Sequence, residues 1–217
     1  STTKTACSWN GSVLDINEGF ANCKRIEFGP GVDPVAVRVN TNIELRPDDG
    51  EPSIKAFGKL TITSIAEYKL VTHGIEANRV IFTGKVNVEV HAQNGKPAIF
   101  AETGEVAVGY SYAPVAGAPA RESDSPVVKV YGTIEASGNV TSGGNASLTI
   151  DAGAANPAIH AGRGVVIGDA ASVAANGYIQ ADKYVKLDEV PYSIRIDGSA
   201  NAVSYTHLRA HETSAHL

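Results

Sequence analysis

The 217-residue sequence contains no methionine, a single tryptophan and two cysteines, and aromatic residues make up only 6% of it. Because methionine is absent, we expect the natural start to lie upstream of Ser1, where a targeting segment would not be visible. No apolar run reaches the roughly 20 residues that a membrane-spanning helix needs. The net charge of −5 lacks the basic excess typical of nucleic-acid-binding proteins. We therefore expect neither a membrane span nor a nucleic-acid partner.

The residues that are abundant favour strands and turns. Valine, isoleucine and threonine, whose branched side chains suit a pleated sheet, occur throughout the chain together with 22 glycines. The length is sufficient for one sizeable domain or two small ones. The composition therefore indicates an all-β protein.

A repeat with four main positions organises most of the chain. It is shared by the segments PSIKAFGKLTI (Pro52–Ile62), PAIFAETGEVAV (Pro97–Val108) and PAIHAGRGVVI (Pro157–Ile167). Its mostly apolar residues fall at offsets 0, 2, 6 and 8, and residues two apart lie on one face of a strand. Alanine is usual at offset 2, where it suits a crowded interior near a corner. Copies, some with one residue inserted or missing, begin at Phe20, Val37, Ile54, Ile75, Ile99, Ile134, Ile159 and Ile179.

The spacing of these copies predicts a β-solenoid. Successive copies start 17 to 25 residues apart, except for one step of 35 residues. That step contains the Pro-, Ala- and Ser-rich segment 111–126, which we interpret as a surface loop. One coil of about 20 residues cannot bury its own inward side chains, whereas stacked coils bury like residues against like. The alternative, a β-sandwich, explains the strands but not the repeated pattern.

This repeat resembles the single-stranded parallel β-helices, expected to be right-handed, of bacterial secreted and cell-surface proteins of the adhesin or carbohydrate-binding type. The resemblance covers roughly residues 20–197 and specifies the fold better than the function. It implies a non-catalytic extracellular or cell-surface module that binds a polysaccharide or a host or cell-surface glycan. One alternative is a fragment of a β-helix polysaccharide lyase or glycoside hydrolase that acts on pectin-like glycans. A weaker one is an intracellular filament-forming β-helix similar to the bactofilins.

Two sets of residues are candidates for ligand binding. Basic side chains between offsets 2 and 6 would stack into one ridge and face an anionic polysaccharide, or they are ordinary polar turn residues. Tyr110 and Tyr112 flank the predicted loop and could stack on sugars, or they pack at a coil edge. The basic set consists of Lys24, Arg25, Lys59, Arg79, Arg163 and Lys183.

Covalent and metal chemistry have little support in the sequence. Cys7 and Cys23 are 16 residues apart, close to one coil, and could form a disulfide between stacked coils or remain free thiols. No aspartate recurs at one offset on consecutive coils, as a calcium or lyase site would require. His73, His91 and His160 are isolated along the chain. We therefore expect no catalytic residue, no metal ligand and no cofactor; calcium binding is conceivable but has no support.

The character of the chain changes after Ala202. The segment VSYTHLRAHET (Val203–Thr213) resembles a translated transposase adapter of the kind used in sequencing libraries. His207 and His211 lie four residues apart, but without a third ligand they would form only a weak metal site. We therefore expect residues 1–202 to be a fragment of a β-solenoid domain, truncated at both ends, and residues 203–217 to be a foreign tail whose deletion costs no stability.

Overall fold

The computed structural model describes residues 7–9, 11–18, 23–109, 125–168, 171–187, 194–196, 200–202 and 205–206. Within these ranges the chain forms short strands joined by turns and loops of different lengths, and no helix there is long and apolar enough to cross a membrane. The strands, in chain order, are β1 (Cys7–Trp9), β2 (Val13–Ile16), β3 (Ile26–Phe28), β4 (Val35–Val39), β5 (Ile43–Leu45), β6 (Ile54–Lys55), β7 (Lys59–Ser64), β8 (Lys69–Thr72), β9 (Ile75–Ala77), β10 (Arg79–Gly84), β11 (Asn87–His91), β12 (Ile99–Ala101), β13 (Val106–Val108), β14 (Val127–Tyr131), β15 (Ile134–Ala136), β16 (Val140–Ser142), β17 (Ser147–Asp151), β18 (Pro157–Ala161), β19 (Gly164–Ile167), β20 (Ser172–Asn176), β21 (Tyr178–Ala181), β22 (Tyr184–Leu187), β23 (Ile194–Ile196), β24 (Ala200–Ala202) and β25 (Tyr205–Thr206).

The strands form three parallel sheets, in which each strand pairs with its counterpart one coil later. The first sheet has the order β1-β3-β6-β9-β12-β15-β18-β21-β24, and the second has the order β2-β4-β7-β10-β13-β16-β19-β22-β25. The third runs from β5 through β8, β11, β14, β17 and β20 to β23. We call the turns from first to second sheet, second to third, and third to first the first, second and third corners. The predicted parallel β-helix is confirmed, while its right-handed sense stays a prediction.

Rows of like residues at successive coils form the core. In the first sheet an isoleucine row has each member in register with the next, and all its members are at most 1% exposed: Ile54, Ile75, Ile99, Ile134, Ile159 and Ile179. Parallel pairing spaces the row at about 4.8 Å, so each side chain packs on the two beside it. Burial of such a side chain stabilises the fold by about 1.5–3 kcal/mol. Two residues after each of these isoleucines the chain has a buried alanine, as the repeat predicts.

The first two predicted copies of the repeat are out of frame. Ile26 is the register partner of Ile54, so it occupies the first place of a copy rather than the third. Val37 pairs with Ile62 in the second sheet and therefore occupies the last place. The coil that starts at residue 26 advances 28 residues to residue 54, so the predicted steps of 17 are wrong. An even shift along an alternating strand keeps the same residues inward, and for this reason the pattern did not reveal the slip.

The four-place pattern also spans only two of the three strands in each coil. The third strand has its own inward pair, for example Val88 and Val90, both fully buried.

Of the predicted loop 111–126, residues 111–124 lie outside the described residues. On either side of the undescribed segment, Gly109 N–H donates to Phe82 O and Ser125 N–H donates to Gly84 O, both at 2.9 Å.

The predicted foreign tail lies mostly outside the described residues. Two of its residues, Tyr205 and Thr206, pair with Val185 and Lys186 and extend the second sheet. The boundary at residue 202 stays a prediction.

Candidate functional site

Four of the six predicted basic residues lie at the first corner, in two separate pairs. Lys59 is the register partner of Arg79, and Lys183 N–H donates to Arg163 O at 2.7 Å. Between the pairs the position that precedes the second-sheet strand is occupied by Glu105 and then by Asn139. Arg79 forms an ion pair with Glu105. The basic side chains therefore do not form a continuous ridge.

Lys24 and Arg25 lie at a different corner, so their predicted place in the ridge is wrong. They directly precede Ile26 at the start of β3, at the third corner, because the first copy of the repeat is out of frame. Lys24 forms an ion pair with Asp48, and Arg25 lies 3.6 Å from Asp49 and 3.0 Å from Glu27. Acidic partners thus neutralise both cations locally.

Tyr110 and Tyr112 lie outside the described residues, so their predicted role in ligand binding stays a prediction. Cys23 is disulfide-bonded, and Cys7, in β1, is the only other cysteine of the sequence.

The third corner carries a groove that sequence reasoning missed. The groove has a volume of about 250 Å³ and crosses the corner between two long loops, residues 46–53 and 92–98. Only two residues, His73 and Gly74, join the sheets in the coil between those loops. The floor consists of His73, Gly74, Ile75 and Glu76, and the walls consist of Gly50 and Pro52 on one side and Gln93, Lys96, Pro97 and Phe100 on the other.

Hydrogen bonds of the backbone and of the Ser53 hydroxyl hold the floor against the two flanking loops. Ser53 Oγ accepts from His73 N–H at 2.6 Å and donates to Leu45 O, and Ser53 N–H donates to Gly74 O. On the other side Ile75 N–H donates to Ala98 O at 2.9 Å. Gly74 has a φ of 97°, a conformation that favours glycine at the short corner. The groove is therefore preformed.

A tight turn forms the tip of the second wall. Lys96 N–H donates to Gln93 O at 2.8 Å, which closes a four-residue β-turn. Its central residues, Asn94 and Gly95, both have positive φ, at 44° and 73°, as type I′ turns require. Asparagine and glycine tolerate that conformation best, so the sequence QNGK fixes the position of Lys96 and of Pro97 beside it.

A row of stacked rings continues from the groove over the outer face of the third sheet. The ring centroids of His73 and His91 are 5.2 Å apart, and those of His91 and Tyr131 are 4.7 Å apart with an interplanar angle of 8°. His73 Nε2 lies 3.1 Å from Glu44 Oε1, and His91 Nε2 lies 2.8 Å from Glu89 Oε1. Because the rings cover one another's faces, their edges carry the polar contacts. We call these three residues the ring row.

Lys69 balances the charge of Glu89, the carboxylate that His91 of the ring row contacts. Lys69 Nζ lies 2.9 Å from Glu89 Oε2. Hydrogen bonding to Lys69 holds the pKa of Glu89 below its usual value against the opposing effect of partial burial, and His91 acts in the same direction. His73 and His91, which are isolated along the chain, stack on each other in the structure. Each follows the last inward residue of its third strand and precedes a glycine or alanine, and this signal could have revealed the row.

The described residues contain no group of three or more His, Cys, Asp or Glu side chains that could hold a metal ion. His160, on the outer face of the first sheet, has its Nδ1 4.0 Å from Glu135 Oε1.

Comparison of the chain with protein-family models, with curated proteins and with solved structures finds no match in any of the three.

Proposed function

We propose that this chain is a non-catalytic polysaccharide-binding module of the adhesin type that works outside the cell or at its surface. The observation that carries the proposal is the preformed groove at the third corner. Small-molecule sites are concave and mostly apolar with a few convergent polar groups, and Pro97 and Phe100, both half-buried, provide the apolar part. His73, Glu76, Gln93 and Lys96 provide hydrogen-bonding groups around it.

The size and openness of the groove suit a segment of a polymer. Its volume of about 250 Å³ lies just below the 300–1,000 Å³ usual for sites that enclose a whole small ligand. A polysaccharide can place one or two sugar rings in such a groove while the rest of the chain continues over the solenoid surface. The ring row offers further polar edges next to the groove floor, since His73 belongs to both.

The disulfide supports an extracellular location. Disulfides persist in oxidising compartments and are rare in the cytosol, and Cys23 is disulfide-bonded. This observation weighs against the intracellular filament as the function of the chain.

The acidic residues of the groove support binding over cleavage. Glycoside hydrolysis usually needs two carboxyl groups, about 5–10 Å apart. Of the described residues that line the groove, Glu76 alone carries a carboxylate. The lyase or hydrolase alternative therefore receives no support from this site.

The proposal is tested by retention of the purified protein on a panel of immobilised polysaccharides, with a parallel assay for released reducing ends and unsaturated uronides, with and without calcium. We expect retention without depolymerisation. Phe100→Ala should weaken retention about tenfold or more, because buried aromatic contacts dominate binding energy. Phe57→Ala is the matched control, because Phe57 is 36% exposed at the first corner, away from the groove.

Three outcomes would contradict the proposal. Depolymerisation of any polysaccharide would establish an enzyme. Absence of retention on the whole panel would remove the binding function. Equal losses for Phe100→Ala and Phe57→Ala, with both variants folded by circular dichroism, would show that the groove is not the site.

A further inference from the structure

We infer that the groove at the third corner receives a neutral sugar ring rather than a uronate, a sulfated sugar or another anion. The inference rests on the proposed function and names the class of glycan for the same site. It departs from the anionic ligand that the basic residues of the sequence predict. Three features of the described residues support it: the charges inside the groove, the charges around it and the chemistry of its walls.

The groove contains two residues of opposite charge, Glu76 and Lys96, which lie in different parts of it. Glu76 lies on the floor, half-buried, in register between Lys55 and Phe100. Lys96 lies on the tip of one wall and is exposed. An anionic ligand on the floor would meet the carboxylate of Glu76 at close range and gain only a solvent-screened attraction from Lys96. A carboxylate or sulfate group is therefore disfavoured there.

The cations at the preceding coil and on the third sheet are accompanied by acidic residues, and the Nζ of Lys55, beside Glu76 on the first sheet, lies over the ring of Phe57. At the preceding coil, Lys24 and Arg25 form ion pairs with Asp48 and Asp49. On the side of the third sheet, His73 lies against Glu44 and Lys69 lies against Glu89. An incoming anion would have to compete with carboxylates that are already in place, so these groups provide no positive patch for steering.

A neutral sugar uses the same groups without that conflict. A hydroxyl group both donates and accepts, so it can donate to the Glu76 carboxylate while another accepts from the Lys96 ammonium group. Hydrogen bonds to charged partners are stronger than neutral ones. The C–H face of a sugar ring can lie against Phe100 and the ring of Pro97, which are half-buried and form the apolar surface of one wall.

The experiment compares neutral and anionic polysaccharides with the intact chain. Arabinoxylan, galactomannan and mixed-linkage β-glucan are the neutral probes, and polygalacturonate, alginate and chondroitin sulfate are the anionic ones. Affinity electrophoresis is run at about 0.05 M and about 0.5 M NaCl, since screening separates charge-driven binding from the rest. Variants are Glu76→Gln and Lys96→Gln in the groove, with Glu67→Gln as an exposed control at the second corner.

We expect retention by at least one neutral probe, with less than about a twofold change between the two salt concentrations. Glu76→Gln should weaken that retention about five- to tenfold by removing a charged acceptor, and Glu67→Gln should leave it unchanged. Tight retention of polygalacturonate or another anion, weakened by salt and abolished by Lys96→Gln, would overturn the neutral ligand and leave the binding function standing. Failure of every probe would instead remove the proposed function itself.

Discussion

The outer faces of the second and third sheets differ in how far solvent reaches them, although the same alternation turns both outward. On the second sheet a row in mutual register is almost fully buried: Ile81, Ala107, Thr141 and Val166 are 8%, 0%, 2% and 4% exposed. On the third sheet Thr149 is exposed, and Tyr131 is 44% exposed. The outer face of the second sheet is mainly apolar, and the outer face of the third sheet is polar.

This difference separates a face that supports the fold from one that can meet a ligand. Outward residues of a solenoid normally face water, so a buried outward row with apolar side chains acts as a second, smaller core. Backbone packing beside it is also close, since a Cβ on Gly109 would lie 2.1 Å from Gly143 O. The outer face of the third sheet remains open; it carries the ring row and adjoins the groove at the third corner.

The largest effect is expected from a charge placed in the buried outward row. Ala107→Glu would bury a carboxylate without a partner and should lower the free energy of unfolding by about 3 kcal/mol or more. Thr149→Glu is the control on the third sheet, next to Lys129 in register, and should change it by less than about 0.5 kcal/mol. Urea denaturation measures both. Similar values for the two variants would show that the two faces do not differ.

A backbone substitution should give the next largest effect. Gly109→Ala combines a φ of 89° with the contact to Gly143 O and should cost about 2–3 kcal/mol. Gly95 also has a positive φ, 73°, but a methyl group added there would meet open space. Gly95→Ala should therefore lower the free energy of unfolding by about 1 kcal/mol. The same denaturation experiment compares them. If Gly95→Ala were the more harmful change, the close packing beside the second sheet would have to be reconsidered.

The ring row should contribute less than the buried row. His91→Ala removes the stacking contacts on both faces of the central ring and should cost about 1–2 kcal/mol. His91→Phe keeps the stack and should recover most of that loss. His160→Ala, on the first sheet, serves as the control and should cost less than about 0.5 kcal/mol. A neutral result for His91→Ala would mean that the stacked rings add nothing to stability.

The smallest effect concerns the acid sensitivity of the polar face. Since the folded pKa of Glu89 lies below its usual value of 4.5, its stabilising contribution is complete above that pH and disappears as the pH falls through the folded pKa. Glu89→Gln should therefore be less stable at pH 7, by up to about 1 kcal/mol, and the difference should shrink in acid. Thermal unfolding between about pH 3 and pH 7 measures it, with Glu67→Gln as the comparison. A difference that stays constant with pH would rule out ionisation of Glu89 as its cause.

Much of the fold could be predicted from the sequence because the coils from Ile54 onward keep one order of inward residues. The repeat identified that isoleucine row and two of the three strands in each coil. It failed at Val37, because Ile26 and Val35 are nine residues apart where Ile54 and Leu60 are six apart. The longer first corner shifted the frame, and alternation alone cannot detect such a shift.

The candidate site was less accessible to sequence reasoning. His91 and Tyr131 are separated by 40 positions in the chain but lie in register on adjacent strands. The groove exists because a two-residue corner lies between two long ones, which becomes visible only after the coils have been aligned. A shared place in the repeat predicted one ridge of basic residues, but the first copy is out of frame, and the structure separates Lys24 and Arg25 from the rest.

The sequence by itself determined that this chain stacks parallel strands and which side chains point inward, because alternation within a strand is local and burial rewards it in every coil. The tertiary structure decided which outward residues are covered and which rings stack. It also decided that loops 46–53 and 92–98 enclose a groove. Those relations depend on the register between coils, and the register depends on corner lengths that no local pattern encodes.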